Sequence, residues 1–142
     1  MKKIFMLLAA VFVSLLVKAQ IPTAQCVAGD TIVRQGNSFV MTVNINKCDL
    51  ACYAQFQQLL PEGFAATEIT GESDNANFYF ENNKVFYQWY KLPIEKNFIT
   101  LKFNVAVSQG VKAGRYEIPG YFSYQVKNRL GQIDTPVTII VQ

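Results

Sequence analysis

Chemistry at neutral pH needs side chains that can titrate, attack or ligate, and this chain is short of them. It contains no histidine, so no serine or cysteine has the usual base beside it and no imidazole can hold zinc. Three cysteines stand out: Cys26, Cys48 and Cys52. In an exported chain an odd count reads as one disulfide and one spare thiol. Cys48 and Cys52 flank Asp49-Leu50-Ala51 and could close on each other; Cys26 paired with either is the competing connectivity. Glu72 and Asp74 share the most polar stretch, Gly71 to Asn77. A calcium ion wants oxygen ligands arranged by a turn, but the spacing matches no EF-hand and only two carboxylates lie close together. A solvated loop is the expectation. The ten acidic residues are scattered, with no pair marked for glycoside hydrolysis. The residues therefore point to a protein that is not an enzyme, with no metal and no cofactor.

Aromatic side chains are the remaining signal. Tyr53, Phe86, Tyr90 and Tyr121 each fall on the face opposite to an apolar set. Exposed tyrosine and phenylalanine on a flat sheet are what a protein or sugar partner grips. A register shifted by one residue would turn all four inward.

The elements that must position them are strands. Ile99, Leu101, Phe103, Val105 and Val107 alternate with Thr100, Lys102, Asn104, Ala106 and Ser108, a period of two with one face buried. Val85, Tyr87 and Trp89 form an inward set just before, separated from it by Leu92-Pro93-Ile94-Glu95-Lys96-Asn97. Phe39, Met41, Val43 and Ile45 make another good amphipathic strand. Cys52, Ala54, Phe56 and Leu60 share the next inward face, where Gln58 interrupts and needs a buried partner or an edge position. Leu60-Pro61-Glu62-Gly63 is a turn, and Phe64 to Thr70 is a less regular strand. The runs on either side of Asn82-Asn83 make a tight hairpin, because asparagine tolerates positive φ. Tyr116, Ile118, Gly120, Phe122 and Tyr124 read as one strand, Asn128 to Thr135 as a final loop, and Val137, Ile139 and Val141 as the closing strand. About eight short strands punctuated by glycine and proline, without helical periodicity, predict an all-β, two-sheet sandwich.

That sandwich is expected to span residues 20–142. Before it, Lys2 and Lys3 precede an apolar run from Ile4 to Val17 and then Lys18-Ala19-Gln20. A charged start, a short apolar middle and a small residue at the exit describe a signal peptide over residues 1–19. The run is short of the ~20 residues that span a bilayer. Cys26 lies too far beyond it for a lipoprotein signal. Thirteen basic residues, less the three leader lysines, leave ten against ten acidic ones. The mature chain is formally neutral, which points away from nucleic acid and anionic lipid.

Val33-Arg34-Gln35-Gly36-Asn37-Ser38-Phe39 before alternating apolar residues resembles the opening of cohesin-like domains. Ala54-Gln55-Phe56 is similar to the aromatic-glutamine pattern of their second strand. Leu60-Pro61-Glu62-Gly63-Phe64, Trp89-Tyr90-Lys91-Leu92-Pro93 and Gly120-Tyr121-Phe122-Ser123-Tyr124 resemble segments of a poorly characterised exported family of Bacteroidota. The resemblance implies a cohesin-like jelly roll or immunoglobulin-like sandwich that binds other proteins. The expected function is a periplasmic, surface or secreted protein-binding or assembly module. A carbohydrate-binding module on the same aromatic face and an adhesin or fibre subunit are the alternatives.

Overall fold

The computed structural model describes residues 20–142; the expected signal peptide lies outside them. Twelve strands appear in order: β1 Thr23–Ala28, β2 Ile32–Val33, β3 Ser38–Asn46, β4 Tyr53–Leu59, β5 Phe64–Glu68, β6 Asn77–Glu81, β7 Lys84–Trp89, β8 Phe98–Val107, β9 Gly114–Ile118, β10 Gly120–Val126, β11 Arg129–Asp134 and β12 Val137–Val141. They form a four-stranded sheet in the order β1-β3-β8-β5 and a five-stranded sheet in the order β11-β10-β4-β7-β6. A small third sheet, β2-β12-β9, has β12 lying next to β1. The fold is an all-β sandwich, as the alternation requires.

The expected inward sets face each other across the core. Met41, Val43, Leu101, Phe103 and Val105 from one sheet, and Ala54, Phe56, Val85 and Tyr87 from the other, are fully buried. Phe103 joins the layers, its ring centroid 6.4 Å from Phe56 and 6.0 Å from Tyr87. Burying one such side chain contributes roughly 1.5–3 kcal/mol by removing apolar surface from water. Trp89 packs edge-on against Phe122 at 6.3 Å, so β7 and β10 hold one end of the core together.

Turn chemistry sets the hairpins. Asn82 and Asn83 both take positive φ, 51° and 61°, the signature of the two-residue turn that matches strand twist. Gly63 sits at φ 86°, and a Cβ there would come within 2.6 Å of Val111 Cγ2. Only glycine fits.

Three expectations need correction. The run from Tyr116 to Tyr124 is two strands in two sheets, because Pro119 has no N–H to continue a ladder. β9 pairs with β12 before it, and β10 pairs with β4 after it. The final loop holds a strand, β11, which returns on β10 through Lys127 at φ 55°. The lead to the domain also contains a strand, β1, paired along β3.

The amide nitrogen of Gln58 finds buried partners where the chain changes sheets, while Gln58 Oε1 is buried with none among the described residues. Its Nε2 donates to Ile118 O at 3.1 Å and Thr135 O at 3.4 Å. Gly120 makes room for it, since a Cβ there would fall 2.1 Å from Gln58 Oε1.

Candidate functional site

Pair register converts strand order into a surface. On the outer face of the five-stranded sheet, Tyr121 of β10 lies opposite Gln57 of β4. Gln57 lies opposite Phe86 of β7, and Phe86 opposite Tyr79 of β6. These four form one row across neighbouring strands ~4.8 Å apart. Tyr121 Oη donates to Gln57 Oε1 at 2.6 Å, fixing the ring against the sheet. The next row toward the β4–β7 open end runs Gln132, Ser123, Gln55, Gln88 and Asn77. Every member both donates and accepts, and none is charged. Beyond it come Leu130, Gln125 and Tyr53, with Gln88 Nε2 donating to Tyr53 Oη at 2.7 Å.

The four aromatic residues singled out in the sequence thus meet different fates. Phe86 and Tyr121 are half-buried in one row, and Tyr53 lies two rows away on the same face. Tyr90 stands one residue past β7 and is 77% exposed. None of the four is in the core. Tyr79, 49% exposed, was missed; it alternates with Phe78 and Phe80, which was the signal that could have found it. At one end of the aromatic row a groove of about 440 Å³ lies among Gln57, Leu59, Lys84, Tyr121, Asp134 and Pro136. It offers one charge of each sign beside an aromatic wall. A groove of similar size at the far end of β1, β3 and β8 includes Phe98 and no charged residue.

The polar loop has a structural job. Asp74 Oδ2 accepts from the Thr100 amide at 2.9 Å, and Asp74 O accepts from Trp89 Nε1 at 2.9 Å. Lys96 completes the set as an ion pair with the Asp74 carboxylate. The loop therefore seals the edge of β8 that β5 does not reach. Among the described residues no three His, Cys, Asp or Glu side chains gather for a metal.

The expected disulfide is not formed: Cys26, Cys48 and Cys52 are free thiols. Cys26 faces the core in mid-strand opposite Val43, whereas Cys48 and Cys52 lie beyond the end of β3 at Asn46. Cys48 occupies a turn at φ 54°, its Sγ 3.6 Å from Asn46 Oδ1. Buried Lys47 fills that turn, Nζ donating to Leu50 O at 2.8 Å and Cys48 O at 3.4 Å. Burial pushes the Cys26 thiol up to about 12. Burial also raises Cys52, with a backbone hydrogen bond from Gln125 and the Lys47 charge acting the other way. Neither Cys26 nor Cys52 is activated for attack.

No family model matches the sequence, and no curated protein matches it. Solved structures do. The chain is similar to the cohesin of a type I cohesin–dockerin complex from Clostridium thermocellum, at 13% identity and TM-score 0.57, over 84% of this chain and 99% of that one. It is similar to domains D2 and D3 of the major pilin SpaD from Corynebacterium diphtheriae, at 12% identity and TM-score 0.66. That match covers 82% of this chain and 51% of the pilin fragment. AvmM, which catalyses macrocyclisation in alchivemycin A biosynthesis, matches at 9% identity and TM-score 0.51, over 84% and 88% of the two chains. At such identities the likeness is one of fold: a cohesin-like and pilin-like β-sandwich. Because the same sandwich also serves an enzyme, function must be argued from the surface.

Proposed function

We propose that this chain is a non-enzymatic binding or assembly module, exported to the periplasm, envelope or cell surface, that captures a protein partner. The outer face of the five-stranded sheet is the capture surface. One observation carries the reading: Tyr121, Phe86 and Tyr79 stand in a single outward row, joined by Gln57. Aromatic rings held rigidly on strands supply contact area at little entropy cost, which is how interface hot spots work. The protein-binding and pilin neighbours support the same class. A second reading is favoured by the uncharged amide and hydroxyl row beside the aromatics: the face also suits a neutral glycan.

The test is co-purification from envelope extracts with the mature protein and with a Phe86→Ala/Tyr121→Ala variant. A defined partner retained by the first and lost by the second, with unchanged melting, is the expected result. Specific signals on a glycan array without a protein partner would replace this reading with the glycan one. A variant that unfolds would show the rings to be structural and remove the capture surface.

A further inference from the structure

Among the described residues, β6 pairs with β7 and with no other strand. Its other edge makes no backbone hydrogen bond to another element among the described residues; β5 of the facing sheet lies beside β6 without pairing with it. Natural edges are usually blunted by lysine, proline, bulges or a covering element. The other edge of this sheet, β11, carries Arg129, Gly131 and Asp134. The strand β6 reads Asn77-Phe78-Tyr79-Phe80-Glu81: no proline, no lysine, no glycine, and one charge at its end.

We infer that β6 is a self-association edge whose partner is β6 of a second copy of this chain, paired antiparallel about Tyr79. The register follows from self-complementarity under a two-fold axis. Tyr79 meets Tyr79 of the second copy on the outer face, and Phe78 meets Phe80 on the inner side. At the ends the Asn77 amide meets the Glu81 carboxylate, so the single charge finds a donor rather than its like. A register moved by two residues would carry two residues past the end of the partner strand, Phe80 and Glu81 in one direction or Asn77 and Phe78 in the other, and leave an aromatic ring unmatched either way. Pairing joins two five-stranded sheets into one, and the row Tyr121, Gln57, Phe86 and Tyr79 continues into its symmetry mate. This association stands independently of what the outer face captures. Five residues make a small interface, at the low end for specific complexes, so the dimer forms reversibly and dissociates on dilution.

Sedimentation velocity over a dilution series of the mature protein is the first measurement, with Tyr79→Lys beside it. Lysines placed directly opposite each other repel, so the variant is expected to raise the dimer dissociation constant by about tenfold or more. Cysteine cross-linking then reads the register, in a Cys52→Ser background. Tyr79→Cys is expected to give a disulfide dimer under mild oxidation. Asn77→Cys alone is not, because like positions would lie roughly 13 Å apart along the strands, beyond disulfide reach. Asn77→Cys with Glu81→Cys restores the cross-link. A wild-type chain that sediments as a monomer throughout, or Asn77→Cys cross-linking as readily as Tyr79→Cys, would overturn the inference.

Discussion

The two outer faces of the sandwich come from the same alternation and expose different chemistry. Over the four-stranded sheet the rows read Gln25, Asn44, Thr100; then Val27, Thr42, Lys102; then Val40, Asn104, Thr67. Threonine and valine suit a pleated surface and cost little in water. An aromatic ring reaches that face only at the strand end, as Phe98, which is 70% exposed. Over the five-stranded sheet the corresponding rows carry Tyr121, Phe86, Tyr79 and Tyr53 among amides. Period two decides which side of a strand a residue takes; composition decides whether that side is merely wet or able to hold something. The core between the faces is shared, so any difference between them belongs to the surface.

The strongest way to break this contrast is to show that the inner and outer sets have been confused. Phe103→Ala removes a ring that touches both layers and is expected to cost about 3–5 kcal/mol. That is a large share of the ~5–15 kcal/mol that holds a domain of this size together. Thermal melting reads it, and a loss no greater than that of Lys102→Ala would sink the register.

A smaller effect separates what lies beneath each face. Cys26 sits under the polar face and Tyr87 under the aromatic one. Burial raises both, with the Glu68 carboxylate adding to the rise at Tyr87. Both groups are neutral when protonated, so raised folded pKa values favour the protonated, folded state. Their contribution is complete below the ordinary values of 9.0 and 10.0 and is lost as pH climbs above them. One pH unit above the first value, Cys26 alone should remove roughly 1 kcal/mol. Cys26→Ala should flatten the beginning of the alkaline decline in pH-dependent denaturation and leave the later part. An unchanged curve would mean that the thiol is not desolvated.

The smallest effect sharpens the comparison between surfaces. Thr42→Ala and Lys102→Ala, on the polar face, should change stability by no more than about 0.5 kcal/mol and leave partner capture untouched. Loss of capture from either, measured by the same co-purification, would move the binding surface to the wrong side of the molecule.

Much of this was legible in the chain. The inner sets of β3, β4, β7 and β8 follow from alternation, and the Asn82-Asn83 hairpin from its turn chemistry. The sheet change at Pro119 was not. Both sheets face one core, so inward residues keep their spacing from Ile118 to Phe122 while the hydrogen-bonding partner changes. β1 and β11 are short, partly polar edge strands whose pairing, rather than pattern, makes them strands. Alternation placed Tyr53, Phe86 and Tyr121 outward. The row that Phe86 and Tyr121 form with Tyr79 depends on the order β10-β4-β7-β6, a non-local fact that no local window contains. The cysteine spacing suggested closure, but it carried no trace of Cys48 at positive φ or of Lys47 threading the turn.

Gln58 sets a clock on folding. Its acceptors, Ile118 O and Thr135 O, lie 60 and 77 residues further along the chain. Until both arrive, the Nε2 group of Gln58, on the core side of β4, has only water to bond. Closing the layers earlier would strand that amide in a dry interior, at a cost of about 1–3 kcal/mol. Contacts so distant in sequence must overcome loop-closure entropy and form slowly. A chain emerging from its N-terminus therefore seals this end of the sandwich only at a penalty until the segment just before β12 has been delivered.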